Sequence, residues 1–423
     1  METDEREKSY RIFGKAGLCG ILLLLRPVLY YLFSRRRDVD DYASVDFSAI
    51  VFIIYAVVCF FAGVREIWKG HFGQKVLFRS PIIFFLIYTG LCFVSIAWSV
   101  NVRITGFRSF ECLAMTLVIV GAIQHLFTFE RTPVILKWSM IYCCWDILWS
   151  LGRLLAATTD INILLTASQM MATSFFYMAL YTWPYKWYNY VIMIMSVFSM
   201  STVGYVGMAL GSLGSLFSRG KLKIIAVIGV VALTFAIAAM GPKHFLKETV
   251  FFDKEDVSIK YSSGRDHLMD ASLKNLEKHP YGEGFFSGEA KVIYHYMPGA
   301  ISAHNAIFSA ALGTGYPGMV AIGIFFLAMW MCIFSKYIPR KYKPMLFGCL
   351  SVAFLHCMGN PSLGTRVFGA WIPCMYICVM VCSFYIRGKY YITEENEEDD
   401  IVTEYKARIQ HILRKEDGED GEE

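Results

Sequence analysis

Long apolar runs separated by short polar segments dominate the chain. They fall at about 16 to 33, 47 to 64, 80 to 99, 109 to 128, 133 to 152, 161 to 182, 187 to 200, 204 to 218, 222 to 240, 300 to 334, 344 to 360 and 367 to 386. A helix needs about 20 predominantly apolar residues to cross the hydrocarbon core of a bilayer. The pattern therefore predicts an all-α integral membrane protein with about twelve transmembrane helices. The stretch from 187 to 217 is too long for one helix and divides at the polar, glycine-containing segment Ser201 to Gly204. The stretch from 300 to 334 is also long, and only its second part, from about Tyr316, is expected to be a full span. The first run holds Arg26 and is followed by SRRRD instead of a small-residue cleavage site, so it reads as a retained helix.

The polar segments give the orientation, because cytoplasmic loops carry an excess of Lys and Arg. Counting back from Arg387 and Lys389, the inside loops are 336 to 343, 218 to 223, the Arg131/Lys137 loop, 65 to 79 and the N-terminal segment. Both termini are then cytoplasmic. Arg35, Arg36 and Arg37 fall outside in this scheme, offset by Asp38, Asp40 and Asp41. Residues 1–386 form one membrane domain whose long extracytoplasmic loop covers 241–300. Residues 387–423 form an acidic cytoplasmic tail. In it Ile401, Tyr405, Ile409, Ile412 and Leu413 fall near one helical face, fitting either a partner-binding helix or a solvated tail.

Composition agrees with a chain dissolved in lipid. Hydrophobic residues make up 56% and charged residues 18%, against about 25% charged in soluble domains. The net charge of +5 is scattered over short loops, which argues against nucleic acid as a partner. Twelve cysteines lie almost entirely within apolar runs, as small hydrophobes do, and none has the spacing of a zinc site. Asp38-Val39-Asp40 is read as an ordinary acidic loop, and Glu111, His125 and Asp146 as residues of the helix packing, with lining a cavity or pairing with one another as the alternatives.

Chemistry-bearing residues concentrate between 262 and 318. Ser263 is a good N-cap with Asp266 three residues on, and Met269, Leu273 and Leu276 share one helical face. Pro280 stops that helix. Arg265 falls in its first turn, where a guanidinium and free helix N–H groups suit a diphosphate. A capping charge pair with Asp266 or Asp270 is the alternative reading. Downstream, His304 has the residue chemistry to accept a hydroxyl proton, and Asn305 to orient it or hold a sugar. An interfacial hydrogen-bonding pair is the plainer reading of these two residues.

The order Ser263-Gly264-Arg265, then Pro280 with Gly282, Gly284 and Phe285, then His304-Asn305 and Gly315 with Gly318, resembles the O-antigen ligase and O-antigen polymerase superfamily of bacterial membrane glycosyltransferases. The resemblance implies a GT-C-like fold with short helices in the outer loop, and a polyprenyl-diphosphate-linked glycan as donor. It implies neither a nucleotide sugar nor a metal cofactor. It gives Arg265 the carrier diphosphate, His304 the acceptor hydroxyl, and Ser263 and Asn305 the glycan. Ligases of the family often carry an arginine after a serine ahead of the eighth helix, where this chain reads Ser201-Thr202-Val203-Gly204-Tyr205. A second diphosphate-binding arginine is then sought at Arg103 and Arg108, in the outer loop SVNVRITGFR, or at Arg366 in the last outer loop; each is otherwise an interfacial anchor. The expected activity is polymerisation of lipid-linked repeats at the outer face of the bacterial cytoplasmic membrane, with ligation to a lipid or protein acceptor as alternative. A lipid-linked oligosaccharide flippase is the competing class. Membrane lipid surrounds the chain, and other polysaccharide-export components are candidate partners of the tail.

Overall fold

The computed structural model describes residues 17–33, 46–129, 145, 265–296, 302–340, 342–359, 362–367 and 371–390. Among them every regular element is a helix: α1 Gly17–Phe33, α2 Phe47–Lys69, α3 His71–Arg79, α4 Ile82–Val94, α5 Val102–Phe129, α6 Arg265–Lys278, α7 Ser287–Tyr296, α8 Ala306–Phe334, α9 Lys343–Gly359 and α10 Trp371–Tyr390. Four are long and apolar enough to cross a membrane: α2, α5 over Val102–His125, α8 and α10. A fifth is added if α3 and the segment Ile82–Trp98, bent by 74°, count as one broken span. The expected crossings between 133 and 240, the division at Ser201 to Gly204, Asp38 to Asp41, Asp146, Ser263 and the acidic tail lie outside the described residues.

Two expected boundaries move. The segment 65 to 79, read as an inside loop, is helical: α2 runs through to Lys69 and α3 follows after Gly70. Arg103 and Arg108 are likewise on a helix and not in a loop. Asn101 caps α5, accepting from the Ile104 N–H at 3.2 Å, so the helix starts upstream of its apolar run. The hydrophobic pattern marks only the part of a span that meets apolar surroundings, and a polar first turn is invisible to it.

Helix α5 is the hub of the described bundle, packed by α1, α2, α4 and α10. Glycine permits two of those approaches. A Cβ on Gly63 of α2 would lie 2.7 Å from the Leu117 backbone carbon, and one on Gly121 would lie 2.9 Å from Cys19 Sγ of α1. Small residues at such crossings let backbones close up where lipid supplies no hydrophobic drive. The ten described cysteines are buried and none forms a disulfide. His125 Nδ1 sits 3.1 Å from Glu66 Oε1, so this half-buried pair joins α5 to α2.

The bundle has two chemically distinct ends. At one, Lys75 of α3 lies over the Tyr390 ring at 5.0 Å and Lys389 over Tyr337 at 5.7 Å. The other end gathers the segment after α4, the turn before α7, the start of α8 and the loop before α10. Helix α10, with its 20 residues, separates the two ends by about 30 Å at 1.5 Å per residue.

Candidate functional site

The site is framed by a break in α8. Gly315 has φ 70° and ψ −159°, with Pro317 just beyond, so α8 is two helical pieces and the second begins near Tyr316 as expected. Into the break docks the turn Pro280–Phe286. The Glu283 N–H donates to the Leu312 carbonyl at 3.0 Å, Gly284 N–H to Gly313 at 3.0 Å, and Tyr316 N–H to Pro280 at 2.9 Å. Gly282 and Gly284 have φ of 73° and 102°, and a Cβ on Gly282 would sit 2.6 Å from the Gly313 backbone. The two glycine motifs noticed in the sequence are thus the two halves of one docked backbone joint.

The same turn is bound to the start of α5 and to the short 3-10 turn Ser95–Trp98. Ser95 Oγ accepts from the Phe285 N–H at 3.0 Å, and Thr105 Oγ1 donates to the Phe285 carbonyl at 3.0 Å. Ser99, Thr105 and Ser287 close a ring of hydroxyls, each pair within 2.7 to 2.8 Å. Phe286 is thereby held at φ 60°, a left-handed conformation that costs a non-glycine residue about 1 to 2 kcal/mol.

The Phe286 ring gathers two of the three arginines considered as a second diphosphate ligand. Arg366 Cζ is 4.9 Å and Arg108 Cζ 5.7 Å from its centroid. Arg108 also donates to Glu111 Oε2 at 2.6 Å, while Arg26 donates to Glu111 Oε1 at 2.7 Å. Two guanidiniums therefore share one buried carboxylate, and the third stands within electrostatic range of Arg108. The Arg366 loop, 362–367, is held on both sides of that residue. Tyr88 Oη donates to Gly364 O at 2.7 Å, Thr365 Oγ1 to Glu289 Oε2 at 2.6 Å, and Arg26 Nη2 to Val367 O at 3.3 Å. Arg103 is elsewhere: it is exposed and about 140° around α5 from Arg108.

His304 lies at the entrance to α8, with φ 54°. Phe286 and His304 are the non-glycine residues with positive φ among those described, and both lie in this site. Asn305 is the N-cap of α8: its Oδ1 accepts from the N–H groups of Ile307 at 2.9 Å and Phe308 at 3.3 Å, and its Nδ2 donates to Met358 O at 3.1 Å. It fixes the backbone at His304 and ties α8 to the end of α9. Helix α6 starts at Arg265 and stops at Lys278, as the sequence predicts. Leu268 of α6 packs in a small core with Ala303, Val292, Ile293 and Leu312. The first turns of the Arg265 helix therefore lie against the residue preceding His304; the Arg265 side chain is outside the described residues.

Glu289 is a residue of this cluster that the sequence reading missed. It is fully buried on α7. Its Oε1 accepts from Ser302 Oγ at 2.9 Å, from the Ala303 N–H at 2.9 Å and from Ser309 Oγ; its Oε2 accepts from Thr365. Burial pushes this carboxyl above the usual carboxylate range, and the hydroxyl and backbone donors pull it back only in part. A lone Glu in SGEAKVIY carries no signal of that role. Among the described residues no group of three His, Cys, Asp or Glu side chains could hold a metal ion.

No family model matches the chain, and comparison with curated proteins returns no match.

Proposed function

We propose that this chain is a membrane glycosyltransferase that polymerises undecaprenyl-diphosphate-linked oligosaccharide repeats into a surface polysaccharide. The observation that carries the reading is the meeting of Arg108 and Arg366 on Phe286, beside the residues that lead into His304 and the helix headed by Arg265. Transfer from such a donor requires that the leaving diphosphate be stabilised and the acceptor hydroxyl be positioned and relieved of its proton. In this proposal Arg265, Arg366 and Arg108 serve the diphosphate, and His304 takes the hydroxyl proton. Asn305 acts on His304 through the helix cap. The site end faces outward and the Lys75, Arg79 and Lys389 end faces the cytoplasm, in keeping with the excess of basic residues on the inner side.

A flippase would also contain broken helices, and α8 is broken. The break supports transport poorly, because the Leu312 and Gly313 carbonyls and the Tyr316 N–H beside it are already bonded to the turn 280–284 and are not offered to a substrate. Ligation would use the same residues as polymerisation, and only the acceptor separates the two.

The deciding experiment is the glycan profile of cells lacking the protein, complemented with wild type, Arg265→Ala or His304→Ala at matched membrane levels. Accumulated single lipid-linked repeats that only wild type converts to long chains support polymerisation. Accumulated long carrier-bound chains mean ligation. Wild-type profiles from both variants overturn the proposed site.

A further inference from the structure

Glu289 joins the two loops that carry the proposed chemistry. Its Oε1 binds Ser302 and Ala303, the two residues immediately before His304. Its Oε2 binds Thr365, the residue immediately before Arg366. Ser302 passes the constraint on, since its Oγ accepts from the His304 N–H at 3.3 Å. Ser309, one turn into α8, is held by the same Oε1. The acceptor-side and diphosphate-side residues thus hang from opposite oxygens of one carboxylate group, whose own helix follows directly on the Phe286 turn.

The chemistry of the contact explains why a carboxylate stands there. Four donors converge on two oxygens, and a carboxylate has about four lone-pair sites to receive them. A glutamine of the same size keeps one oxygen only, and its amide N–H groups face a donor that must turn around. An alanine leaves all four donors buried without an acceptor. Among the described residues no basic side chain is a partner of this carboxylate, which is held by hydroxyl and backbone donors and not by an ion pair that merely staples two helices.

We infer that Glu289 is a positioning residue: through Ser302 and Thr365 it sets the separation of His304 from Arg366. The inference rests on the glycosyl-transfer reading above. A misplacement of about 1 Å at such a site is enough to lower a rate by two orders of magnitude.

The test uses the full-length protein in nanodiscs and the undecaprenyl-diphosphate-linked oligosaccharide extracted from cells that lack it. Glu289→Gln lowers kcat about 10- to 100-fold while KM for the lipid-linked donor moves less than about threefold, because alignment is lost and most of the donor's contacts are kept. Thr365→Val and Ser302→Ala, which each cut one arm, lower kcat about tenfold, and add less than that in the Glu289→Gln background because both act through the carboxylate. Activity is referred to the folded, monodisperse fraction. If Glu289→Gln has wild-type kcat per folded molecule, or if the arm variants add in full to it, the positioning role is overturned. If His304→Ala and Arg265→Ala are also fully active, the transfer reading itself has failed; if those two are inactive and Glu289→Gln is not, only the role of Glu289 has.

Discussion

Glu111 and Glu289 are 1% and 0% exposed, and both hold the loop 362–367, by opposite means. Glu111 lies within the span of α5 and is clasped by two guanidiniums, one of which reaches on to Val367. Glu289 lies on the short helix α7 and takes only hydroxyl and backbone donors. An uncompensated charge among apolar helices costs several kcal/mol, so a carboxylate in the span needs cations. One at the rim of the bundle is held by neutral donors. The difference separates two jobs: Glu111 keeps the arginine cluster from repelling itself, and Glu289 fixes where its neighbours sit.

The largest effect is expected from removing the first. Glu111→Ala leaves Arg26 and Arg108 facing each other without their shared anion, and costs about 3 to 5 kcal/mol, as breaking a buried ion pair does. Thermal or denaturant unfolding in detergent measures it. Adding Arg26→Met to Glu111→Ala recovers a good part of the loss, since one of the two stranded charges goes with it. A loss below about 1 kcal/mol for Glu111→Ala would mean that solvent already shields the triad and that the contrast with Glu289 is unfounded.

A smaller, pH-dependent effect is expected at Glu289. Burial raises the Glu289 carboxyl above its ordinary value of 4.5, so the folded protein holds that proton more tightly than the unfolded chain. Its contribution to stability is complete below about pH 4.5 and is lost as the pH rises through the folded-state value. The groups facing it are the hydroxyls of Ser302, Ser309 and Thr365 and the Ala303 N–H, none of which titrates in this range. Glu289→Gln removes the titration, so the stability of wild type relative to this variant should fall on going from pH 4.5 to 8, by about 1.4 kcal/mol for each tenfold increase in proton affinity. Should the wild-type advantage instead grow with pH, the four donors outweigh burial and Glu289 is held as a stabilised anion.

How far the sequence reveals this arrangement depends on whether the cause is local. The α6 helix and its stop before Pro280 were legible, because helical spacing and proline act within a few residues, although Leu273 of the expected apolar face is exposed and Leu268 and Ala271 are buried beside Leu276 instead. So was the break in α8 near Tyr316, marked by Gly315 and Pro317. The glycine motifs were visible, but their pairing was not: Gly282 meets Gly313 and Gly315 meets Pro280 across some thirty positions of chain, and nothing in either segment names the other. Glu289 was missed for the same reason, since its partners Ser302, Ser309 and Thr365 are unremarkable where they stand in the sequence. The start of α5 was misplaced because Asn101 opens the helix with a polar turn that hydropathy reads as loop.

That misplacement gives the smallest prediction, drawn from the arginine side of the comparison. In a flexible loop, Arg103 and Arg108 would be interchangeable donors to a diphosphate. On α5 they are not, because residues five apart on a helix lie about 140° around its axis. Arg108 is bound to Glu111 and stacked on Phe286, whereas Arg103 is exposed on another face. An exposed surface residue that is neither a cap itself nor part of an ion network changes stability by less than about 0.5 kcal/mol when replaced. Arg103→Ala should therefore change transfer activity less than about twofold, while Arg108→Ala, which removes a charge at the site and frees half of Glu111, should lower it by at least tenfold. Equal losses from the two variants, measured on the lipid-linked donor in nanodiscs, would mean that the diphosphate lies across the head of α5 and not over Phe286.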